Sequence, residues 1–138
     1  MNIDFPKETC WDCPEGGHTI RLSTIQSLDR HITGKATDEL RFVWEVVSID
    51  DARFSYQVGK RYSCTGERGS ELREDLKNWL GDELFNYVGP DRKLDSDKLI
   101  GLLADGWVVH IPNKRYAKPF VYLKNIAPKG TFTSNGDN

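Results

Sequence analysis

The chain has 138 residues, of which 38% are hydrophobic and 29% are charged, and its formal net charge is -2 at pH 7. These values are typical of one ordinary globular domain that is long enough to bury a core, and a charge near zero gives no sign of nucleic-acid binding. The start, MNIDFPK, does not resemble a signal peptide and no apolar run approaches membrane length, so we expect a cytoplasmic protein without a membrane partner.

Charge is unevenly distributed along the chain. Acidic residues outnumber basic ones by four in 66–105, whereas basic residues outnumber acidic ones by four in 106–138. This segregation predicts a basic face on a nearly neutral protein.

Residues 1–18 are predicted to form an irregular arm. It carries Cys10, Cys13 and His18, but a structural zinc site needs four ligands, and Cys64 completes the set only if its strand ends beside the arm. An odd count of three cysteines also argues against a disulfide framework. We therefore expect no zinc and no other cofactor.

Three strands are predicted to follow the arm. The first covers 19–28, with a slip of phase between Leu22 and Ile25 that indicates a bulge. A polar loop over 29–38 is expected next. Alternating side chains then predict a hairpin of strands 40–47 and 54–63, with Phe42, Trp44 and Phe54 in the core.

The middle of the chain predicts helices. Ser70 is a natural N-cap for a helix over 70–80, and Gly81 suits its left-handed end. Segment 82–93 looks irregular, with Phe85, Tyr87 and Val88 tucked beneath this helix. A second short helix is expected over 97–104.

The last part of the chain predicts two strands and a tail. The strands cover 107–111 and 120–126, and a basic loop, 112–119, joins them. The small, polar residues of 129–138 predict a disordered tail.

The predicted order is β-β-β-α(α)-β-β, a mainly β fold with a helical insertion. Five strands with a helix between the third and fourth is the layout of a five-stranded OB-fold-like barrel. An SH3-like barrel has no such helix, and a ferredoxin-like fold needs βαβ units. The predicted organisation is an arm over 1–18, an OB-fold-like domain over 19–128 and a tail over 129–138.

Several segments also resemble a known group of proteins. They are the run from Pro14 to Leu28 and the stretches LRFVWEV, RYSCTGERGSELREDLKNWL, LIGLL and VYLKNIAP. These resemble small phage- and plasmid-encoded OB-fold-like proteins, mostly uncharacterised, some of which are assigned as single-stranded DNA-binding proteins. The resemblance implies an OB-fold, a location in the cytoplasm of a bacterial host cell and a role in phage or plasmid DNA replication or recombination. It carries no catalytic motif.

Catalysis has little support in the sequence. There is no P-loop, no H-E-x-x-H, no G-x-S-x-G and no H-x-E with a following C-x-x-C. The paired acids Asp50 and Asp51 suit a turn. We expect a protein that is not an enzyme.

Non-sequence-specific binding of single-stranded DNA is the leading hypothesis. It requires aromatic faces and cations, which OB-folds place on the second and third strands and in the loops that join strands 1–2 and 4–5. The candidates at these positions are Arg41, Arg53, Tyr56, Lys60, Arg61 and Tyr62 on the strands, Arg30 and Lys35 in the first loop, and Lys114, Arg115, Tyr116 and Lys118 in the second. The alternative is a protein-interaction module, an inhibitor or adaptor of a host or phage replication protein, that binds through the acidic helical side or the Cys10–His18 arm.

Overall fold

The computed structural model describes residues 1–32, 35–63, 69–115 and 117–133, and the side chains of 28–32, 35–38 and 69–70 lie outside that description. One sheet contains β1 (Glu8–Cys10), β2 (Gly16–Ile32), β3 (Lys35–Val46), β4 (Phe54–Ser63), β5 (Leu103–Ile111) and β6 (Phe120–Ala127). Helix α1 (Gly69–Leu80) lies between β4 and β5, and two 3-10 helices cover Gly81–Tyr87 and Ser96–Leu99. The prediction of a mainly β fold with a helical insertion is confirmed.

The strands are ordered β1-β4-β3-β2-β5-β6. All neighbours are antiparallel except β1, which runs parallel to Phe54–Tyr56 at the start of β4. Strands β4 and β6 approach each other, with Cα atoms within 8 Å, but the described residues of these strands form no ladder. The sheet is therefore open and has six strands, and a closed five-stranded barrel is not shown.

Strands β2 and β3 form a long hairpin. Their pairing extends from Ile20 opposite Val46 to Ile32 opposite Lys35, so the prediction of a polar loop over 29–38 is wrong. Backbone hydrogen bonds between two strands do not depend on apolar side chains, and they extend the ribbon through a polar sequence. The predicted bulge is confirmed, because the register shifts between Leu22 and Thr24.

Helix α1 packs on the inner face of the sheet. The ring of Trp79 meets that of Trp44 edge to face, with 5.0 Å between their centroids, and its Nε1 donates to the Leu103 carbonyl over 2.9 Å. Phe42 and Trp44 are buried, as predicted. Gly81 has a positive φ of 56°, which confirms the predicted left-handed end of the helix.

The segment that follows α1 differs from its predictions. The helix expected over 97–104 is only the 3-10 turn Ser96–Leu99. Gly101 has a φ of 92°, and its N–H donates to the Leu22 carbonyl, so the chain turns and joins β2 as a strand. Phe85, expected beneath α1, is 77% exposed.

The end of the described chain folds back on the sheet. Residues 128–133, here called the C-terminal turn, bring the ring of Phe132 within 5.8 Å of that of Trp107. The backbone N–H groups of Phe132 and Thr133 donate to the buried carboxylate of Asp105. This part of the predicted tail is therefore packed, and 134–138 lie outside the described residues.

No helix in the described ranges is long and apolar enough to cross a membrane.

Candidate nucleic-acid interface

Successive residues of β4 face opposite sides of the sheet. Val58, Lys60 and Tyr62 are buried on the side of α1, whereas Arg61 is exposed on the outer side. In the ladder between β3 and β4, Arg41 is the direct partner of Arg61. Because directly paired residues point to the same face, the sheet brings two predicted cations together on its outer surface.

An open groove of about 350 Å³ contains these two arginines. It runs between β4 and the start of β6, and we call it the arginine groove. Its lining residues are Trp11, Asp12, Arg41, Gln57, Val58, Gly59, Arg61, Pro119, Phe120 and Val121.

Two aromatic residues, Trp11 and Phe120, line the arginine groove together with the two arginines. The Arg41 guanidinium lies over the ring of Trp11, with 5.0 Å to the centroid. Trp11 is 43% exposed and Phe120 is 60% exposed. A Cβ at Gly59 would lie 3.1 Å from Arg41 Nε, so glycine at this position leaves room for the guanidinium. The groove therefore combines positive charge with accessible ring faces.

Lys60 and Tyr62 belong to a buried polar cluster. The Asp75 carboxylate of α1 accepts a hydrogen bond of 2.8 Å from Lys60 Nζ and one of 2.6 Å from the Tyr62 hydroxyl. Burial lowers the pKa of Lys60, but the hydrogen bond and charge of Asp75 outweigh this effect and raise the pKa above its ordinary value. Burial, and next Asp75, raise the pKa of Tyr62.

This cluster holds α1 on β4. The structure thus places Lys60 and Tyr62 on the helix side, which differs from the prediction that they line a ligand face.

Arg53 and Tyr56 lie at the start of β4, beside β1, and do not line the arginine groove. The Arg53 guanidinium is exposed and lies 5.1 Å from the centroid of the Phe54 ring. Tyr56 is half-buried against Phe54, and burial, followed by Asp51, raises the pKa of its hydroxyl. Phe54, predicted to be core, is only half-buried and lies outside the main cluster.

The basic loop lies next to the arginine groove. Lys118 Nζ is 3.3 Å from a carboxylate oxygen of Asp12, which lines the groove. Lys114 and Arg115 are exposed, and the Arg115 N–H donates to the Asn113 side chain. Tyr116 lies outside the described residues, as do the side chains of Arg30 and Lys35.

Sequence reasoning missed Trp11 and Phe120. Trp11 lies between the two arm cysteines, so its sequence context pointed only to a metal motif. Phe120 directly follows the basic loop and lies on the opposite face of its strand from Val121. This position could have predicted an exposed ring beside the loop.

The arm cysteines do not assemble a metal cluster within the described ranges. Cys13 is buried, and its desolvation, with a smaller effect of Cys10, raises the pKa of its thiol to about 12. His18 Nε2 donates to the Pro14 carbonyl over 2.7 Å. Cys64 lies outside the described residues, so the expected lack of zinc stays a prediction.

Comparison of the sequence with protein-family models and with curated proteins gives no match. The residues and their geometry therefore carry the functional argument.

Proposed function

We propose that this chain binds single-stranded DNA with little sequence preference through the arginine groove. The observation that carries the proposal is the pairing of Arg41 and Arg61 on the outer face of β3 and β4, in a groove that Trp11 and Phe120 also line. The protein acts as a binding protein rather than an enzyme, in the replication or recombination of phage or plasmid DNA.

The chemistry of the groove suits a single strand. Guanidinium groups pair with phosphates, and an exposed ring stacks on any base because every base has a π-face. Among the residues that the structure describes, Asp12 contributes the single carboxylate of the groove, and Lys118 lies beside it. The excess basic charge of 106–138 adds an attraction that is independent of sequence.

The topology supports an OB-fold-like architecture. Strands β2 to β6 follow the order β4-β3-β2-β5-β6, with α1 inserted between β4 and β5, and β6 lies beside β4. The OB-fold is a five-stranded, partly open barrel, and its second and third strands and neighbouring loops bind oligonucleotides. This is also the fold implied by the resemblance to small phage- and plasmid-encoded proteins.

Fluorescence anisotropy with labelled poly-dT over a salt series tests this proposal. Log K should fall linearly with log salt, and Arg41→Ala and Arg61→Ala should each reduce the slope by roughly 0.7, the value for one single-strand phosphate. Phe120→Ala should weaken binding roughly 5- to 150-fold, because one stacked base is worth about 1–3 kcal/mol. Lys114→Ala with Arg115→Ala should also flatten the slope.

Arg73→Ala is the matched control, since Arg73 is an exposed arginine of α1 outside the arginine groove. Its affinity and salt slope should equal those of the wild type. The proposal fails if the wild type binds poly-dT at low salt no more tightly than an unrelated acidic protein, or if the groove variants bind like the control.

A further inference from the structure

A second groove lies on the helical side of the molecule. It has a volume of about 340 Å³, and we call it the helix groove. Its apolar lining residues come from α1, the 3-10 helix Gly81–Tyr87 and the bridged pair Val88 and Leu94, and they are Leu72, Leu76, Leu84, Phe85, Val88 and Leu94. It shares no lining residue with the arginine groove.

The charged residues of the helix groove all have one sign. They are Arg73, Lys77 and Arg92, and no carboxylate of the described residues lines the groove, although acidic residues outnumber basic ones by four in 66–105. The three cations are exposed and form no ion pair with any residue in the described ranges. The acidic segment 66–105 therefore contains a local positive site.

The spacing along α1 explains how apolar and basic groups meet here. Leu72 and Leu76 are four residues apart, as are Arg73 and Lys77, so each pair forms a stripe along the helix and the two stripes are adjacent. Phe85, which is 77% exposed, adds a large apolar side chain to the groove.

We propose that the helix groove docks an acidic peptide segment of a partner protein. One aromatic or aliphatic side chain of the peptide lies on the leucines and Phe85, and its carboxylates pair with Arg73, Lys77 and Arg92. Burial of the apolar side chain supplies most of the binding free energy, and the three cations favour a negatively charged peptide over a positively charged one. This inference concerns a surface distinct from the arginine groove and does not depend on the proposed DNA binding.

Two other occupants fit the groove less well. A nucleic acid would meet mostly aliphatic side chains, with Phe85 as the one ring in the described lining, whereas base recognition requires stacking surfaces. A second copy joined by a two-fold axis would place the three cations of one groove against the same three cations of the other. Charge complementarity therefore favours an acidic peptide.

Fluorescence anisotropy with short fluorescein-labelled peptides tests the proposal on the full chain. The probe is a run of aspartates around one leucine and one phenylalanine. One control peptide replaces the aspartates with lysines, and another replaces the two apolar residues with alanines. The acidic apolar peptide should bind, and both control peptides should bind at least about tenfold more weakly.

Variants then locate the site. Phe85→Ala should lower the affinity for the acidic peptide roughly tenfold. Because Phe85 is exposed, this variant should fold like the wild type. The double variant Arg73→Glu with Lys77→Glu should lower the affinity for the acidic peptide by a similar factor. Lys7→Glu is the matched control, because Lys7 is exposed and lies outside this groove, and its affinity should equal that of the wild type.

Two results would overturn the proposal. One is equal binding of the acidic and lysine peptides, or of the Phe85→Ala variant and the wild type. The other is sedimentation showing that the protein self-associates and that Phe85→Ala dissociates it, with no peptide bound, because a second copy would then cover the groove.

Discussion

Lys60, Arg61 and Tyr62 are consecutive in β4, and their chemistry diverges with the side of the sheet that each one faces. Lys60 and Tyr62 meet the carboxylate of Asp75 in the interior, where the low polarity of the surroundings makes an unpaired charge costly. Arg61 points into the arginine groove, where its guanidinium is available to a ligand. The two inward residues hold α1 on the sheet, and the outward residue, Arg61, is a candidate contact for the ligand.

Tyr62→Phe tests this division. It removes the hydroxyl that donates to Asp75, so we expect a loss of about 1.5–3 kcal/mol in the free energy of unfolding, as for hydrogen bonds to charged groups, with unchanged affinity for poly-dT. Urea unfolding and anisotropy measure the two quantities. Arg61→Ala is the control and should show the reverse, with stability within about 0.5 kcal/mol of the wild type and weaker binding. Equal stability of Tyr62→Phe and the wild type would contradict the role assigned to the cluster.

Asp105 makes the stability of the fold depend on pH. Its burial raises its pKa, but donation from the N–H groups of Phe132 and Thr133, together with that of Gly130 and the Thr133 hydroxyl, outweighs this and lowers the pKa below its ordinary value. A carboxyl with a lowered pKa in the folded state stabilises the fold above its unfolded pKa, about 3.9, and this contribution is lost as the pH falls through the folded pKa.

Asp105→Asn should therefore lower the free energy of unfolding at pH 7. The difference from the wild type should narrow as the pH falls below about 4, because protonation then removes the same charge from the wild type. Urea unfolding of both proteins between neutral and acidic pH is the measurement. A difference that stays constant over this range would show that the charge of Asp105 is not what holds the C-terminal turn.

At the residue scale, the sequence identified the cations but not the side of the sheet that each one occupies. The partner of Lys60 and Tyr62 is Asp75, which belongs to α1 and is named by no local pattern. Arg41 and Arg61 were predictable as a pair, because a hairpin of alternating strands brings them to one face. Trp11 joins them only through the path of the arm, which periodicity does not specify.

At the scale of elements, close approach of backbones decides where the C-terminal turn lies. A Cβ at Gly17 of β2 would lie 2.7 Å from Phe132 Cβ and 2.9 Å from the Phe132 carbonyl oxygen. No rotamer change of Phe132 relieves contacts with those two atoms, so the turn itself must move.

Gly17→Ala should consequently cost about 1–3 kcal/mol of stability, in the range of overpacked sites. Because it displaces the turn that Asp105 holds, its cost should not add to that of Asp105→Asn, and the double variant should be more stable than the sum predicts. Urea unfolding of the two single variants and the double variant measures the coupling. Strict additivity would show that Gly17 and Asp105 act on separate parts of the molecule.

Helices and strands were predictable where the periodicity of their side chains determines the secondary structure. Helix α1 was correctly predicted because its apolar stripe and the glycine at its end are local features. The prediction of a helix over 97–104 was wrong, because the helical spacing of its leucines competes with hydrogen bonds to Leu22, a distant residue. The Gly101 N–H donates to the Leu22 carbonyl, and the Leu22 N–H donates to the Leu102 carbonyl. The extension of β2 and β3 through a polar sequence has the same cause.

For the whole molecule, the order of helix α1 and the five strands β2 to β6 along the chain was correctly predicted. The sixth strand, β1, was not predicted, and the barrel stays a prediction. Strand β1 is three residues long and pairs with β4 through its backbone, so it leaves no periodic pattern. Whether β6 pairs with β4 depends on the twist and curvature of the sheet, which result from packing over the whole chain.

The open boundary between β4 and β6 has a consequence for the size of the groups that the arginine groove accepts. Paired strands are held about 4.8 Å apart by their ladder. One wall of this groove is Gln57–Gly59 of β4, and the other is Pro119–Val121 at the start of β6. Because the described residues of β4 and β6 form no ladder with each other, side-chain packing sets the separation of the two walls. Under the proposed function, purines and pyrimidines then fit the same groove with small shifts of one wall, and tolerance of base size comes from the sheet as well as from the rings.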